Sequence, residues 1–179
     1  FEVGVDYVDT KYVSDNASGF ADLKEVSIPV NVFYELTPKV DVSLGYSRRD
    51  SEVSATLIDG EYDKNTSFYS VGVRGELLPK LSGFLKIGLV EDDRVDEDMF
   101  GADLDLSYAV SEKLTTSLAL SRDYGVGGTG AVTENSSATL SANYAIDSKY
   151  SVATNVGYDL REYQDGREDD QYSAGVRLS

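Results

Sequence analysis

The chain carries no His and no Cys among its 179 residues. The side chain that most readily moves a proton near neutral pH is therefore missing, and so is the thiolate as nucleophile or metal ligand. A Lys or a carboxylate could stand in for either, but no nucleophile is coupled to a base at any spacing that points to acyl or phosphoryl transfer. Hydrolase and protease roles are excluded on this ground, and a non-enzymatic protein without a cofactor is expected. The glycine-rich stretch Gly125-Val126-Gly127-Gly128-Thr129-Gly130 has no helix pattern after it, so it reads as a loop tip rather than a phosphate cradle. What remains is charge. The run Glu91-Asp92-Asp93-Arg94-Val95-Asp96-Glu97-Asp98 offers Asp92, Asp93, Asp96 and Asp98 as oxygen ligands for a divalent cation, without the spacing of an EF-hand loop. The alternative for this run, and for Arg167-Glu168-Asp169-Asp170, is solvated loop charge. With 16 Lys+Arg against 32 Asp+Glu and a net charge of -16, the surface repels a phosphate backbone, and nucleic acid is not an expected partner.

Strands must position these groups, because the apolar residues recur at a period of two. Phe1, Val3, Val5 and Tyr7 alternate with Glu2, Gly4 and Asp6; Val26, Ile28, Val30, Val32, Tyr34 and Leu36 with Ser27, Pro29, Asn31, Phe33 and Glu35; Val40, Val42, Leu44 and Tyr46 with Asp41, Ser43, Gly45 and Ser47. The same pattern recurs over 69–77, 81–89, 102–110, 114–121, 138–146, 150–160 and 172–178, about ten strands, an even number as bacterial single-chain barrels have. Four brief turns interrupt it: Thr37-Pro38-Lys39, Leu78-Pro79-Lys80, Ser111-Glu112-Lys113 and Asp147-Ser148-Lys149. Between them lie longer polar stretches. Short turns alternating with long loops are the hairpin asymmetry of an antiparallel up-and-down transmembrane β-barrel, with the turns periplasmic and the loops extracellular. Residues 1–179 form one domain, and whether they are the whole barrel is left open. No secretion leader precedes the first alternating run, so any such leader is expected to have been removed or to lie outside this sequence.

The two faces differ in kind. The polar face is dominated by Ser, Gly, Ala and Thr rather than by the Lys and Glu of a water-facing sheet, and small residues suit the crowded concave side. The bulky apolar face then meets lipid. Glu2, Asp6, Glu35, Asp41, Arg74, Glu76, Lys86, Asp103, Asp105, Asp159 and Arg177 are expected to point into the lumen, paired across a narrow interior because an isolated charge there is costly. An acidic excess in a water-filled lumen would favour cations. Of the 13 Tyr, Tyr7, Tyr34, Tyr46, Tyr108, Tyr144, Tyr158 and Tyr172 fall on the apolar face near strand ends, the positions of an aromatic girdle. Pro29 lies mid-strand without an N–H, and a bulge or a stretch beyond the bilayer is expected there.

The segment Leu36-Thr37-Pro38-Lys39-Val40-Asp41-Val42-Ser43-Leu44-Gly45-Tyr46-Ser47-Arg48-Arg49-Asp50, echoed over 114–124 and 150–163, resembles the hairpin unit of outer-membrane β-barrel porin-like proteins often associated with exopolysaccharide systems. The resemblance implies a location in the outer membrane of a Gram-negative cell envelope, with the lipid bilayer and lipopolysaccharide as surroundings and small solutes or polysaccharide as cargo. Such barrels usually end in an aromatic residue, where this chain has Ser179. The leading expectation is a small passive channel or export-associated pore. A structural or adhesive barrel, binding partners through loops at 10–21, 49–67 and 124–135, is the second; a soluble ligand-binding barrel with its faces inverted is the third. The solute and the oligomeric state are not legible.

Overall fold

The computed structural model describes residues 1–11, 22–54, 62–93, 95–126, 132–163 and 166–179, with the backbone alone at 62, 95–98, 126 and 132. Eleven strands form one antiparallel sheet: β1 (Glu2–Val3), β2 (Asp6–Thr10), β3 (Leu23–Thr37), β4 (Val40–Val53), β5 (Tyr62–Leu78), β6 (Leu81–Asp92), β7 (Val95–Ala109), β8 (Leu114–Val126), β9 (Val132–Ala145), β10 (Ser151–Tyr163) and β11 (Glu168–Leu178). Each strand from β3 to β11 pairs with its sequence neighbour, and β1 and β2 both pair with β3. This is up-and-down, all-β topology, and among the described residues no helix is long and apolar enough to cross a membrane.

The first two strands are one strand interrupted. Glu2 faces Asn31, Val3 faces Val30 and Asp6 faces Ser27, a single uninterrupted register. Between them the Gly4 N–H donates to the Pro29 carbonyl at 3.0 Å, and Pro29 has no N–H with which to return the bond. The expected bulge is absent: Pro29 pairs with Ser47 in regular register on its other side, and its cost falls on the edge, where it divides β1 from β2. The irregularities sit elsewhere, at Glu35/Thr37, Glu76/Leu78 and Val90/Asp92. With β1 and β2 counted together the sheet has ten strand positions, as the alternation predicts.

The tight turns form for reasons visible in their residues. Pro79 presets the first turn position, and Lys80 follows at a φ of 66°, the left-handed second position of a type II turn. Just inside it, Gly75 and Gly83 face each other across β5 and β6. Both have positive φ, and an added Cβ would lie 2.0 Å from the Lys39 carbonyl oxygen at Gly75 and 1.9 Å from that of Asp105 at Gly83. The Ser111 hydroxyl accepts from the N–H groups of Lys113 and Leu114, and the Asp147 carboxylate accepts from those of Lys149 and Tyr150 at 2.7 and 2.9 Å. These short polar side chains mimic a backbone turn.

The opposite ends differ from the sequence reading. β4 continues to Val53 and β5 resumes at Tyr62; β8 continues to Val126 and β9 resumes at Val132. The stretches expected as loops at 49–67 and 124–135 are therefore largely strand, and most of 10–21 lies outside the described residues. The acidic run 91–98, expected as loop, is also largely strand: β6 reaches Asp92 and β7 starts at Val95. Beyond the apolar rows both sheet faces are polar, so alternation no longer reports the strand, while cross-strand polar pairs still support it.

Candidate functional site

Register assigns every strand residue to a face. From Asp41↔Arg74 through Gly72↔Lys86, Lys86↔Asp103, Asp103↔Ser121, Ser121↔Ser137 and Ser137↔Asp159, the polar residues fall opposite polar residues around the sheet. Glu2, Asp6, Glu35, Asp41, Arg74, Glu76, Lys86, Asp103, Asp105, Asp159 and Arg177 all share that face. Leu44 and Val156, 66% and 61% exposed, lie on the other. The tyrosines Tyr7, Tyr34, Tyr46, Tyr108, Tyr144, Tyr158 and Tyr172 share the apolar face; Tyr46 stacks obliquely on Tyr69 with ring centroids 5.2 Å apart, and Tyr158 on Tyr172 at 5.0 Å. The apolar row of β3 runs from Val26 to Leu36, ten residue steps of about 3.3 Å each. At a strand tilt of about 40° this gives a band about 25 Å tall, the height of a transmembrane barrel's lipid belt.

On the polar face at the turn end, the Arg74 guanidinium lies 3.5 Å from the centre of the Phe33 ring. It donates to Asp41 at 3.1 Å and approaches Glu2 to 3.9 Å. Lys39 meets Glu76 at 2.6 Å. The cavity above them, about 610 Å³, is lined by Glu2, Asn31, Phe33, Arg74, Lys86 and Asp103 among others. It therefore presents charges of both signs, close together and largely neutralised.

A denser cluster occupies the other end, formed by residues that the sequence reading did not single out as interior. The Lys64 ammonium lies 2.8 Å from Asp92, the two side chains 1% and 0% exposed, and it also donates to the Gly125 carbonyl at 3.3 Å. Thr66 donates to Asp92 at 3.3 Å. Arg49 donates to Asp123 at 3.0 Å and to the Tyr124 carbonyl at 2.8 Å, and its Nε faces Glu25 at 3.4 Å in an ion pair without the alignment of a hydrogen bond. Three of these contacts skip strands: Arg49 reaches from β4 to Asp123 and Tyr124 of β8, and Lys64 from β5 to Gly125 of β8. They are possible because the β7–β8 ladder stops at Ala102↔Arg122, leaving the end of β8 free to lean across the concave face. Parity could have exposed the cluster, since Arg49 continues the row of Ser43 and Ser47, and Lys64 that of Ser70 and Phe68.

The cation-ligand candidates part company. Asp92 is held by Lys64; Asp93 accepts from the backbone and side-chain nitrogens of Asn65, both at 3.0 Å; the side chains of Asp96 and Asp98 lie outside the described residues. Among the described residues no group of three or more His, Cys, Asp or Glu is placed to hold a metal ion.

The remaining polar face, on β8 to β11, is different again. Its concavity of about 670 Å³ is lined by Thr115, Ser117, Thr139, Ser141, Asn155 and Arg177 among others. Short hydroxyls and amides bond locally, as Ser121 does to Ser137 at 2.8 Å, and leave the space above them free.

No family model matches this chain, and no curated protein does. Among solved structures, a mutant of the ferric enterobactin receptor from Pseudomonas aeruginosa superposes with a TM-score of 0.61 over 79% of this chain and 27% of that one, at 11% identity. The chain spans about a quarter of the receptor's length. At that identity the likeness is one of fold.

Proposed function

We propose that this chain forms the wall of an outer-membrane β-barrel, non-catalytic, with its polar face around an aqueous interior that serves as a small passive channel. The observation that carries the reading is the division of faces: over the apolar rows, bulky apolar side chains, many well exposed, fill one side of the ten strand positions, and the other side is mainly small or charged, with Phe33, Phe68 and Phe84 among the exceptions. A soluble sheet with so large an apolar surface open to water would aggregate, whereas hydrocarbon is its natural solvent. The band of about 25 Å on β3 supports a bilayer, and the fold likeness to a receptor barrel supports the same setting. Strand edges cannot stay unpaired in hydrocarbon, so in the membrane the outer edges of β11 and of β1 and β2 are covered, which keeps Arg177 and the acidic Glu2 and Asp6 on the enclosed face.

The acidic excess of that face favours cations over anions. Purified chain in planar bilayers tests the function: stepwise currents with cation preference are the expected result, and no current above leak at any voltage rejects the channel. Migration on gels before and after boiling tests the closed barrel independently, since a closed sheet resists detergent and runs faster when unheated. A structural barrel is favoured by one observation, the buried Lys64–Asp92 pair that obstructs the loop end, and it predicts heat-modifiable migration without current.

A further inference from the structure

The polar face is not one surface. At the loop end, Arg49 and Lys64 cross from β4 and β5 to β8 and meet Asp123, the Tyr124 carbonyl and the Gly125 carbonyl at 2.8 to 3.3 Å. The strands between these anchors are β6 and β7, and the space they bound is a separate cavity of about 300 Å³ lined by Arg49, Phe68, Lys86, Val90, Asp103 and Asp123 among others. Val90 is 2% exposed. The Phe68 ring fills the hollow over Gly101, where an added Cβ would approach it to 2.8 Å. Four strand spacings separate β4 from β8, about 19 Å of arc at about 4.8 Å each, so side chains that meet there mean that the sheet is folded sharply on itself.

Resting on the channel reading, we infer that the Arg49 and Lys64 struts partition the interior, closing off the face of β4 to β8 and confining permeation to the Ser, Thr and Asn face of β8 to β11. Three observations converge on this path. The struts block the loop end of the charged half. The long charged side chains of that half neutralise one another, as Arg74 does against Asp41 and Glu2, and its cavity of about 610 Å³ lies at the turn end, away from the struts. The open half carries short side chains over a concavity of about 670 Å³. Its lining of hydroxyls and amides, with Arg177 as the charged side chain among them, offers donors and acceptors, so it suits small uncharged polar solutes and small hydrated ions.

The chain has no Cys, so single thiols report the path cleanly. Ser141→Cys places one on β9 in the open half and Val90→Cys one on β6 in the closed half. A membrane-impermeant, charged methanethiosulfonate added to the bath is expected to reduce the Ser141→Cys current at least twofold and to leave the Val90→Cys current unchanged. Adding Arg49→Ala to Val90→Cys is expected to make that current sensitive. Equal block of both single variants with Arg49 in place overturns the partition while leaving the channel intact. If no variant conducts, the channel reading fails, and the partition is read instead from labelling rates in proteoliposomes by mass: labelling of Ser141→Cys at least tenfold faster than of Val90→Cys upholds it, and equal rates overturn it.

Discussion

Two parts of one sheet face solve the same problem differently. On β4 to β8 the concave side carries long charged side chains that pair with one another, and at the loop end they reach over several strands and bury Lys64 and Asp92. On β8 to β11 the same side carries Ser, Thr and Asn, which bond to near neighbours and leave the space above them empty. Backbone topology is identical in both. Side-chain length and charge therefore set how far the polar face packs against itself.

The comparison breaks most readily at Lys64. Lys64→Met removes the ammonium from the buried Asp92 carboxylate, a loss of about 3–5 kcal/mol, and urea titration of the folded chain in detergent, followed by gel shift, reads it. Lys64→Met combined with Asp92→Leu is expected to recover most of that loss, because a buried ion pair and an apolar pair of similar volume are nearly equivalent. If the double variant is as unstable as the single one, the pair does more than neutralise itself. On the outer face, Leu44→Arg is expected to cost about 2–4 kcal/mol if Leu44 sits near the bilayer midplane, whereas Ser141→Arg in the open half changes stability by about 0.5 kcal/mol or less and shifts ion selectivity instead. Reversal-potential measurements in a salt gradient separate these outcomes.

Smaller effects sharpen the contrast further. Arg49→Ala removes contacts to Asp123, Glu25 and the Tyr124 carbonyl, but the guanidinium and Asp123 are partly exposed, so a loss of about 1–2 kcal/mol is expected, accompanied by greater solvent access to Val90 in hydrogen exchange. Ser141→Ala, which removes one hydroxyl from a hydrated wall, is expected to leave the denaturation midpoint unchanged within error. A large loss there would mean that the hydroxyl face is a packed core rather than a passage.

The fold was legible wherever one face met an apolar environment. Alternation located the ten strand positions, and the short turns followed from Pro79, Ser111 and Asp147. It failed where both faces are polar: past Tyr46 the outward row of β4 becomes Arg48, Asp50 and Glu52, and the strand continues to Val53 on cross-strand pairing that no hydropathy pattern reports. The same blindness concealed Arg49 and Lys64, whose parity placed them inside but whose charge suggested a solvated loop. Pro29 was recognised as an irregularity, yet its effect fell on the neighbouring strand, because the missing N–H points toward Gly4 rather than toward β4. The leaning of β8 onto β4 and β5 was not readable at all, since it follows from where the β7–β8 ladder ends.

The central claim concerns which face meets lipid. Spin labels placed singly at Asn155, Val156, Gly157 and Tyr158 of β10 in a reconstituted bilayer test it most directly, through collision with oxygen, which concentrates in hydrocarbon, and with a water-soluble nickel chelate. The account predicts oxygen access at Val156 and Tyr158 and chelate access at Asn155 and Gly157. The opposite alternation, or high chelate access at all four positions, would contradict it.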